Sequence, residues 1–124
     1  MYGQWCKLGY LIKPSKTLVE GVSLTFIPKC LDRNLIDDAI DVKDEDSFNM
    51  CHQLAQKEGI LVGGSSGTTV HACKILADSL PVDGKKYTIV TILVDSGVKY
   101  LTKVFNEKYL IQNDLMLRSS LLIY

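Results

Sequence analysis

Apolar residues recur at helical spacing between residues 43 and 58. Steps of three and four residues place four of them on one side of a helix: Phe48, Cys51, Leu54 and Ala55. Asp44 suits the N-cap position, and Gly59 suits the residue after the helix end, where a left-handed backbone is common. The pattern therefore predicts a helix that starts near Asp44 and stops at Gly59.

The same spacing predicts a second helix over residues 66–79. Pro81 and the turn at residues 83–84 mark its end. A third helix is predicted over residues 96–110. In the second helix we expect five apolar side chains to face the core: Val70, Cys73, Leu76, Ala77 and Leu80.

Residues 86–95 have the clearest strand pattern of the chain. They are β-branched and apolar on both faces, which is typical of a parallel strand covered by helices on both sides. Shorter strands are predicted at residues 17–22 and at the end of residues 35–42. The order strand, helix, strand predicts the α/β class. Because so few strands would leave the edges of a parallel sheet exposed, we expect the chain to be part of a larger domain.

Composition and charge exclude several classes of function. Fourteen basic residues balance fourteen acidic ones, so no basic surface for nucleic acid or an anionic membrane is expected. The longest apolar run, residues 87–94, is much shorter than the roughly 20 residues of a membrane-spanning helix. The N-terminus has no signal-peptide pattern. The four cysteines lack CxxC spacing, which favours reduced thiols in a cytoplasmic protein: Cys6, Cys30, Cys51 and Cys73.

A glycine segment, Gly63-Gly64-Ser65-Ser66-Gly67, lies between an apolar triplet and the second predicted helix. Free N–H groups at a helix N-terminus attract anionic or electron-rich atoms, and glycines allow close approach. The segment could therefore bind a cofactor or an anion, or it could simply connect two elements. It matches neither the Walker phosphate-binding pattern nor the G-x-G-x-x-G dinucleotide pattern.

The spacing of the glycine segment also fits the G-x-S-x-G nucleophile elbow of a serine hydrolase, with Ser65 as the nucleophile. The order of partners argues against this function, because the elbow is followed by an acid and then a histidine. The two histidines, His52 and His71, both precede Asp95. His71 also lies on the helix that the segment begins, so it would point away from Ser65.

A metal site is the weakest of the alternatives. Cys51-His52 and the pair His71 and Cys73 could be written as a ligand set, but neither pair has a usual zinc spacing. The cysteines are also accounted for as core positions of the predicted helices. No metal ligands are therefore assigned.

Several motifs together resemble the C-terminal part of the cysteine synthase and cystathionine β-synthase family, which are pyridoxal-phosphate (PLP) enzymes of fold type II. The similarity extends from about Gly9 to Leu110, and its strongest stretch is "EGILVGGS" at residues 58–65. Four motifs occur in order: "LVEG", "FIPKCLDRNLIDD", "VKDEDSFNMCHQLAQKEGILVGGSSGTTV" and "LVDSGVKYLTKVFNEKYL". The resemblance implies the C-terminal portion of the tryptophan synthase β-like fold, an α/β fold with a partial three-layer parallel sheet and flanking helices.

The resemblance implies a role for the first serine of the glycine segment. Ser65 would hydrogen-bond the pyridine nitrogen of PLP, and Gly63 and Gly64 would keep the backbone clear of the ring. A hydroxyl in place of a carboxylate leaves that nitrogen largely unprotonated, which favours β-replacement on serine or an activated serine over transamination. Cystathionine or cysteine synthesis is the reaction class implied.

Two further segments of the cofactor site are implied by the same family. Gly21, in "EG" of residues 20–21, matches the E-G-x-G turn beside the cofactor. Asp95 and Ser96 match the P-D-S-G segment near the pyridine end of the ring. The cofactor-binding residues implied are therefore Gly21, Gly63, Gly64, Ser65, Asp95 and Ser96.

The sequence also departs from the family pattern. Ser23 replaces the second glycine of E-G-x-G, and Val94 replaces the proline before D-S-G. None of the twelve lysines stands in the context of the lysine that binds PLP covalently, and the G-T-G-G-T phosphate-binding motif is absent. No catalytic residue is therefore assigned, and we expect this chain to be inactive alone.

The overall prediction is a fragment of a PLP-dependent β-replacement enzyme. Residues 1–110 form the C-terminal portion of its large domain, and residues 111–124 form a divergent tail. The complete enzyme would act on an amino-acid substrate, as a homodimer or with an N-terminal companion chain. Either this chain is a truncated or degenerate gene product, which Ser23, Val94 and the divergent tail favour, or a companion chain supplies the N-terminal half. The choice between sulfide and homocysteine as nucleophile is left open. The alternative is a non-catalytic α/β interaction module that uses its sheet as a docking surface.

Overall fold

The computed structural model describes residues 17–22 and 28–115, and it divides the chain into two compact units, residues 1–41 and 42–124. In the first unit, residues 17–22 form bends and turns, and Arg33–Leu35 form one turn of 3₁₀ helix. The strands predicted at residues 17–22 and at the end of residues 35–42 are wrong. Gly21 adopts φ +78°, and the Asp38 carboxylate accepts a hydrogen bond from the neighbouring Ala39 N–H, so local turns replace strand pairing.

Helix α1 (Asp44–Gln53) continues into a π-helical turn (Leu54–Glu58) that ends at Gly59 with φ +68°. The predicted end of the helix is therefore confirmed. Asp44 is the first helical residue and not the N-cap, which is Lys43. Acidic residues in the first turn still interact favourably with the helix dipole. Phe48 and Cys51 are fully buried, as their spacing predicted.

Helix α2 (Gly64–Ser79) begins two residues earlier than predicted and packs against α1. Its buried residues are the small ones of its first turn: Gly64, Ser66 and Gly67. The five apolar side chains that were predicted to face the core are not buried, so this prediction is wrong. Leu76 and Ala77 are exposed, and Val70, Cys73 and Leu80 are half-buried. Packing against α1 thus uses the N-terminal turn of α2, while its C-terminal half faces solvent.

The predicted strand at residues 86–95 is not a strand in this structure. In the described part of the chain, β pairing is limited to one isolated antiparallel bridge, between Val62 and Ser96. The end of the segment bonds to α2 side chains, since the Ile92 carbonyl accepts from the Thr69 hydroxyl at 3.2 Å. A β-branched apolar sequence forms a strand only where a neighbouring strand pairs with it.

The third predicted helix is divided in two. A 3₁₀ turn (Gly97–Tyr100) is followed by irregular turns and then by α3 (Glu107–Gln112). The Asn106 side chain caps α3 by accepting a hydrogen bond from the Tyr109 N–H at 3.1 Å. His52 of α1 lies 2.8 Å from the Val104 carbonyl, through its Nε2 atom. The contact between His52 and Val104 packs the C-terminal turns against α1.

The core of the second unit lies between α1, the start of α2 and these C-terminal turns. Its fully buried side chains include Phe48, Cys51, Ser66 and Val104. No helix among the residues that the structure describes is long and apolar enough to cross a membrane. The fold thus places the glycine segment at the centre of the packed unit.

Candidate cofactor site

The glycine segment is fixed to residues 95–97 by backbone hydrogen bonds. The Gly63 N–H donates to the Asp95 carbonyl at 3.1 Å, and the Gly97 N–H donates to the Leu61 carbonyl at 3.0 Å. These bonds flank the antiparallel bridge between Val62 and Ser96. Two segments that are about 30 residues apart in the sequence therefore form one local structure.

The Asp95 carboxylate lies directly against the start of this segment. Its Oδ2 atom accepts a hydrogen bond from the Tyr100 hydroxyl at 2.8 Å, and the Lys99 ammonium lies 3.7 Å from the same oxygen. Its Oδ1 atom is buried and has no hydrogen-bond partner among the described residues. One carboxylate oxygen is thus held by polar contacts, and the other is buried without a hydrogen bond among the described residues.

Gly63 has no room for a side chain. A Cβ at this position would lie 2.3 Å from Asp95 Oδ1 and 2.6 Å from Tyr100 Cε2. Because real Cβ atoms do not approach other atoms so closely, any side chain here would displace the carboxylate or the ring. The predicted role of Gly63 beside a cofactor ring stays a prediction, and the structure adds a packing reason for this glycine.

Gly63 also determines where α2 begins. It is the N-cap of α2, and its carbonyl accepts hydrogen bonds from the N–H groups of Ser66 and Gly67, at 3.1 and 3.2 Å. The Cys51 thiol donates to the same carbonyl at 3.3 Å. The position of Gly63 therefore fixes the first turn of α2, including Ser65.

The two adjacent serines have different environments. Ser66 is completely buried, and its hydroxyl accepts a hydrogen bond from the Val94 N–H at 2.9 Å. Ser65 is half-buried, and in the described part of the chain its hydroxyl has no hydrogen-bond partner. Ser66 is therefore a structural residue, and Ser65 is the serine available to a ligand.

Five of the six residues assigned to the site from the sequence lie in the same packed unit: Gly63, Gly64, Ser65, Asp95 and Ser96. Gly21 lies in the first unit, in an exposed turn. The departure at Ser23 lies outside the described residues. The site described here is therefore the one formed by the glycine segment and residues 95–97.

The structure does not bring together the parts of a hydrolase. Neither His52 nor His71 bonds to the Ser65 hydroxyl within the described ranges. The Cys51 thiol is buried, which raises its pKa from 9.0 to about 11 and keeps it protonated.

The described residues contain no group of three or more His, Cys, Asp or Glu side chains placed to hold a metal ion.

Sequence reasoning missed two residues of the site, Lys99 and Tyr100. Both lie in the 3₁₀ turn after Ser96, which turns their side chains back to Asp95. A continuous α-helix, as predicted over residues 96–110, gives no reason to expect a tyrosine five residues on to reach an aspartate. The glycine at residue 97 was the available signal for a turn at this point.

Comparisons with known proteins identify relatives of this chain. Cystathionine beta-synthase of Dictyostelium discoideum is 38% identical over 95 residues, which are 77% of this chain and 18% of that protein. Cysteine synthase of Buchnera aphidicola subsp. Acyrthosiphon pisum is 39% identical over 100 residues, which are 80% of this chain and 31% of that protein. The chain therefore spans about a fifth to a third of the length of these relatives.

A solved structure has a similar fold. A crystal structure of a mutant O-ureido-L-serine synthase with O-ureido-L-serine bound matches with a TM-score of 0.67 and 27% identity, over 79% of this chain and 32% of that one. The predicted relation to fold type II PLP enzymes is thereby confirmed, whereas the three-layer sheet is not found among the described residues. Residues 4–95 match the family described as pyridoxal-phosphate dependent enzyme, and the chain belongs to that family.

Proposed function

We propose that this chain supplies the pyridine side of the cofactor pocket in a PLP-dependent β-replacement enzyme that makes cystathionine or cysteine from serine or an activated serine. The relatives named cystathionine beta-synthase and cysteine synthase support this reaction class. The observation that carries the proposal is the half-buried Ser65 hydroxyl, which has no partner in the described part of the chain and follows a glycine segment anchored to residues 95–97.

The residues present fit one end of the cofactor. A serine hydroxyl can donate a hydrogen bond to a pyridine nitrogen or accept one from it. The Asp95 carboxylate packs against the α-carbon of Gly63 and so borders the glycine segment. PLP, when bound, supplies the electron sink for β-replacement, and Ser65 would orient its ring while leaving the nitrogen neutral.

The other end of the cofactor requires residues from elsewhere. The sequence contains neither the lysine context for covalent attachment nor the phosphate-binding motif. Lys99 is already close to Asp95, with its ammonium 3.7 Å from the carboxylate. The chain therefore acts with an N-terminal part of the fold that a companion chain supplies, and alone it does not catalyse.

Residues 86–95 support this division of the fold. They are apolar, yet Val90 is 86% exposed and Ile92 is 72% exposed. In the assembled enzyme the segment would be a strand of the three-layer parallel sheet, paired with strands that this chain does not supply. Residues 1–110 would belong to this domain and residues 111–124 to a divergent tail.

The compartment proposed for the enzyme is the cytoplasm. The cysteines that the structure describes are free thiols: Cys30, Cys51 and Cys73. Unpaired thiols are typical of a reducing compartment.

Incubation with PLP tests whether covalent attachment of the cofactor requires an N-terminal part of the fold that this chain lacks. The purified chain is mixed with PLP, reduced with borohydride and analysed by intact mass and peptide mapping. We expect scattered, substoichiometric labelling of surface lysines and no visible absorbance after dialysis. A single stoichiometric adduct on one lysine would show that the chain carries its own attachment site and would contradict the proposal.

A further inference from the structure

We infer that Tyr100 is a positioning residue for Ser65, acting through Asp95 and Gly63. The inference rests on the proposed function, because Ser65 matters only if it meets a ligand. It starts from the contact between the Tyr100 hydroxyl and Asp95 Oδ2, at 2.8 Å. Hydrogen bonds to an ionised carboxylate are among the stronger ones in proteins.

The Asp95 carboxylate also contacts the glycine segment. The Asp95 side chain is 20% exposed, and its Oδ1 atom faces the α-carbon of Gly63 so closely that a Cβ would lie 2.3 Å away. The Tyr100 ring closes the same side of Gly63, at 2.6 Å from that Cβ position. Tyrosine, aspartate and glycine therefore form one packed group in which no member can shift alone.

The last step leads from Gly63 to Ser65. The Gly63 N–H is held by the Asp95 carbonyl, and the Gly63 carbonyl receives the first hydrogen bonds of α2. A rotation of the Asp95 side chain would open space beside Gly63 and loosen this N-cap. Ser65 is the second residue of α2. If the first turn loosened, the Ser65 hydroxyl would no longer be held in one direction.

Hydrogen–deuterium exchange of the full 124-residue chain tests the inference without any cofactor. In Tyr100→Phe we expect exchange of the hydrogen-bonded amides of Gly63, Ser66 and Gly67 to rise roughly tenfold, the size expected for losing one hydrogen bond to a charged group. Exchange in α1 serves as the reference for intact folding. Tyr87→Phe is the matched control, because it removes a 3.0 Å tyrosine–aspartate hydrogen bond in an exposed turn and should leave the exchange of these three amides unchanged.

A double-mutant cycle separates positioning from general packing. If Tyr100 acts through Asp95, Tyr100→Phe adds no further exchange at the amides of Gly63, Ser66 and Gly67 in an Asp95→Ala background. Equal effects of Tyr100→Phe in the two backgrounds, or no effect in either, would overturn the inference. Asp95→Asn, which retains a carbonyl acceptor for the Tyr100 hydroxyl, should restore most of the protection.

A second experiment adds PLP to this chain together with the N-terminal part of the Buchnera cysteine synthase. Ser65→Ala tests the proposed function, and Tyr100→Phe tests the inference by the absorbance maximum of the bound cofactor and its affinity. An effect of Ser65→Ala without any effect of Tyr100→Phe would refute the positioning role alone. No effect of Ser65→Ala would refute the proposed function and leave the exchange result to stand by itself.

Discussion

The start of α2 contains small residues and residues 86–95 contain apolar ones, and both kinds are common in protein interiors. Only the start of α2 is buried. Gly67 lies so close to α1 that a Cβ would be 2.1 Å from the Ser47 carbonyl oxygen. Residues 86–95 contain more apolar side chains, but Val90 and Ile92 face solvent. Local packing of small residues is therefore complete within this chain, whereas the strand sequence lacks the neighbours that would bury it.

This contrast explains why the site is formed only in part. The glycine segment belongs to the packed region, and its geometry is determined by contacts with α1 and residues 95–97. The unpaired segment leads directly into Asp95. The chain thus holds the glycine segment in place while exposing the surface on which we propose the rest of the enzyme docks.

Replacing one side chain of the core that packs α1 against the start of α2, and one side chain of residues 86–95, gives the largest expected difference. Phe48 is 1% exposed, and Phe48→Ala should lower the free energy of unfolding by about 3 to 5 kcal/mol. Val90→Ala should change it by less than about 0.5 kcal/mol, because Val90 is already in water. Urea unfolding of the full chain measures both. Similar losses for the two variants would show that residues 86–95 are buried in solution.

The buried thiol of Cys51 makes the packed region sensitive to high pH. Burial raises the pKa of this thiol to about 11, while in the unfolded chain it ionises near 9.0. Between these values the unfolded chain loses the proton and the folded chain keeps it, so stability falls as the pH rises. The total loss is about 3 kcal/mol.

Urea unfolding of the wild type and Cys51→Ala between pH 8 and 11 isolates this contribution. The wild type should lose more stability than the variant over that range, because other titrating groups are common to both. Parallel curves would contradict the burial of the thiol.

A methyl group at Gly67 tests how tightly the two helices pack. Gly67→Ala places a Cβ against the Ser47 carbonyl and the Cys51 sulfur, and we expect a net loss of about 2 kcal/mol after the helix-favouring effect of alanine. Gly84→Ala is the control, since nothing lies within 4 Å and only its φ of +75° is unfavourable. Its cost should be about 1 kcal/mol. A neutral Gly67→Ala would mean that α1 and α2 are further apart than described.

The adjacent serines give the smallest and most informative difference. Ser66→Ala removes the acceptor of the Val94 N–H and should cost about 1 kcal/mol of stability. Ser65→Ala should leave stability unchanged within about 0.5 kcal/mol, because its hydroxyl bonds to no other described residue. Thermal unfolding measures both. A destabilised Ser65→Ala would indicate a structural role for this hydroxyl and weaken its assignment to a ligand.

The parts of the fold that the sequence predicted are those with local causes. Apolar spacing and a glycine able to adopt φ +68° were sufficient for α1 and its end at Gly59. The failure at residues 86–95 has the opposite cause, because strands depend on pairing with distant segments. The inward face of α2 was misjudged because small residues, Gly64 and Gly67, make the contact instead of Leu76.

The site was predictable where a motif identified it and not where side chains meet by folding. The family resemblance singled out Ser65 and Asp95, but it gave no role to Ser66, whose buried hydroxyl accepts a hydrogen bond from the Val94 N–H. The contact of Tyr100 with Asp95 depends on a 3₁₀ turn that the helical pattern concealed. Such contacts depend on backbone geometry that spacing alone does not specify.

We propose above all that Ser65 holds the cofactor ring in an enzyme completed by another part of the fold. The most direct test co-expresses this chain with the remaining part of the Buchnera cysteine synthase and measures the PLP retained after gel filtration. We predict that the wild-type pair retains PLP, that Ser65→Ala weakens retention roughly tenfold, as loss of one contact to the ring would, and that this chain alone retains none. Stoichiometric PLP on this chain alone, or equal retention by wild type and Ser65→Ala, would contradict the claim.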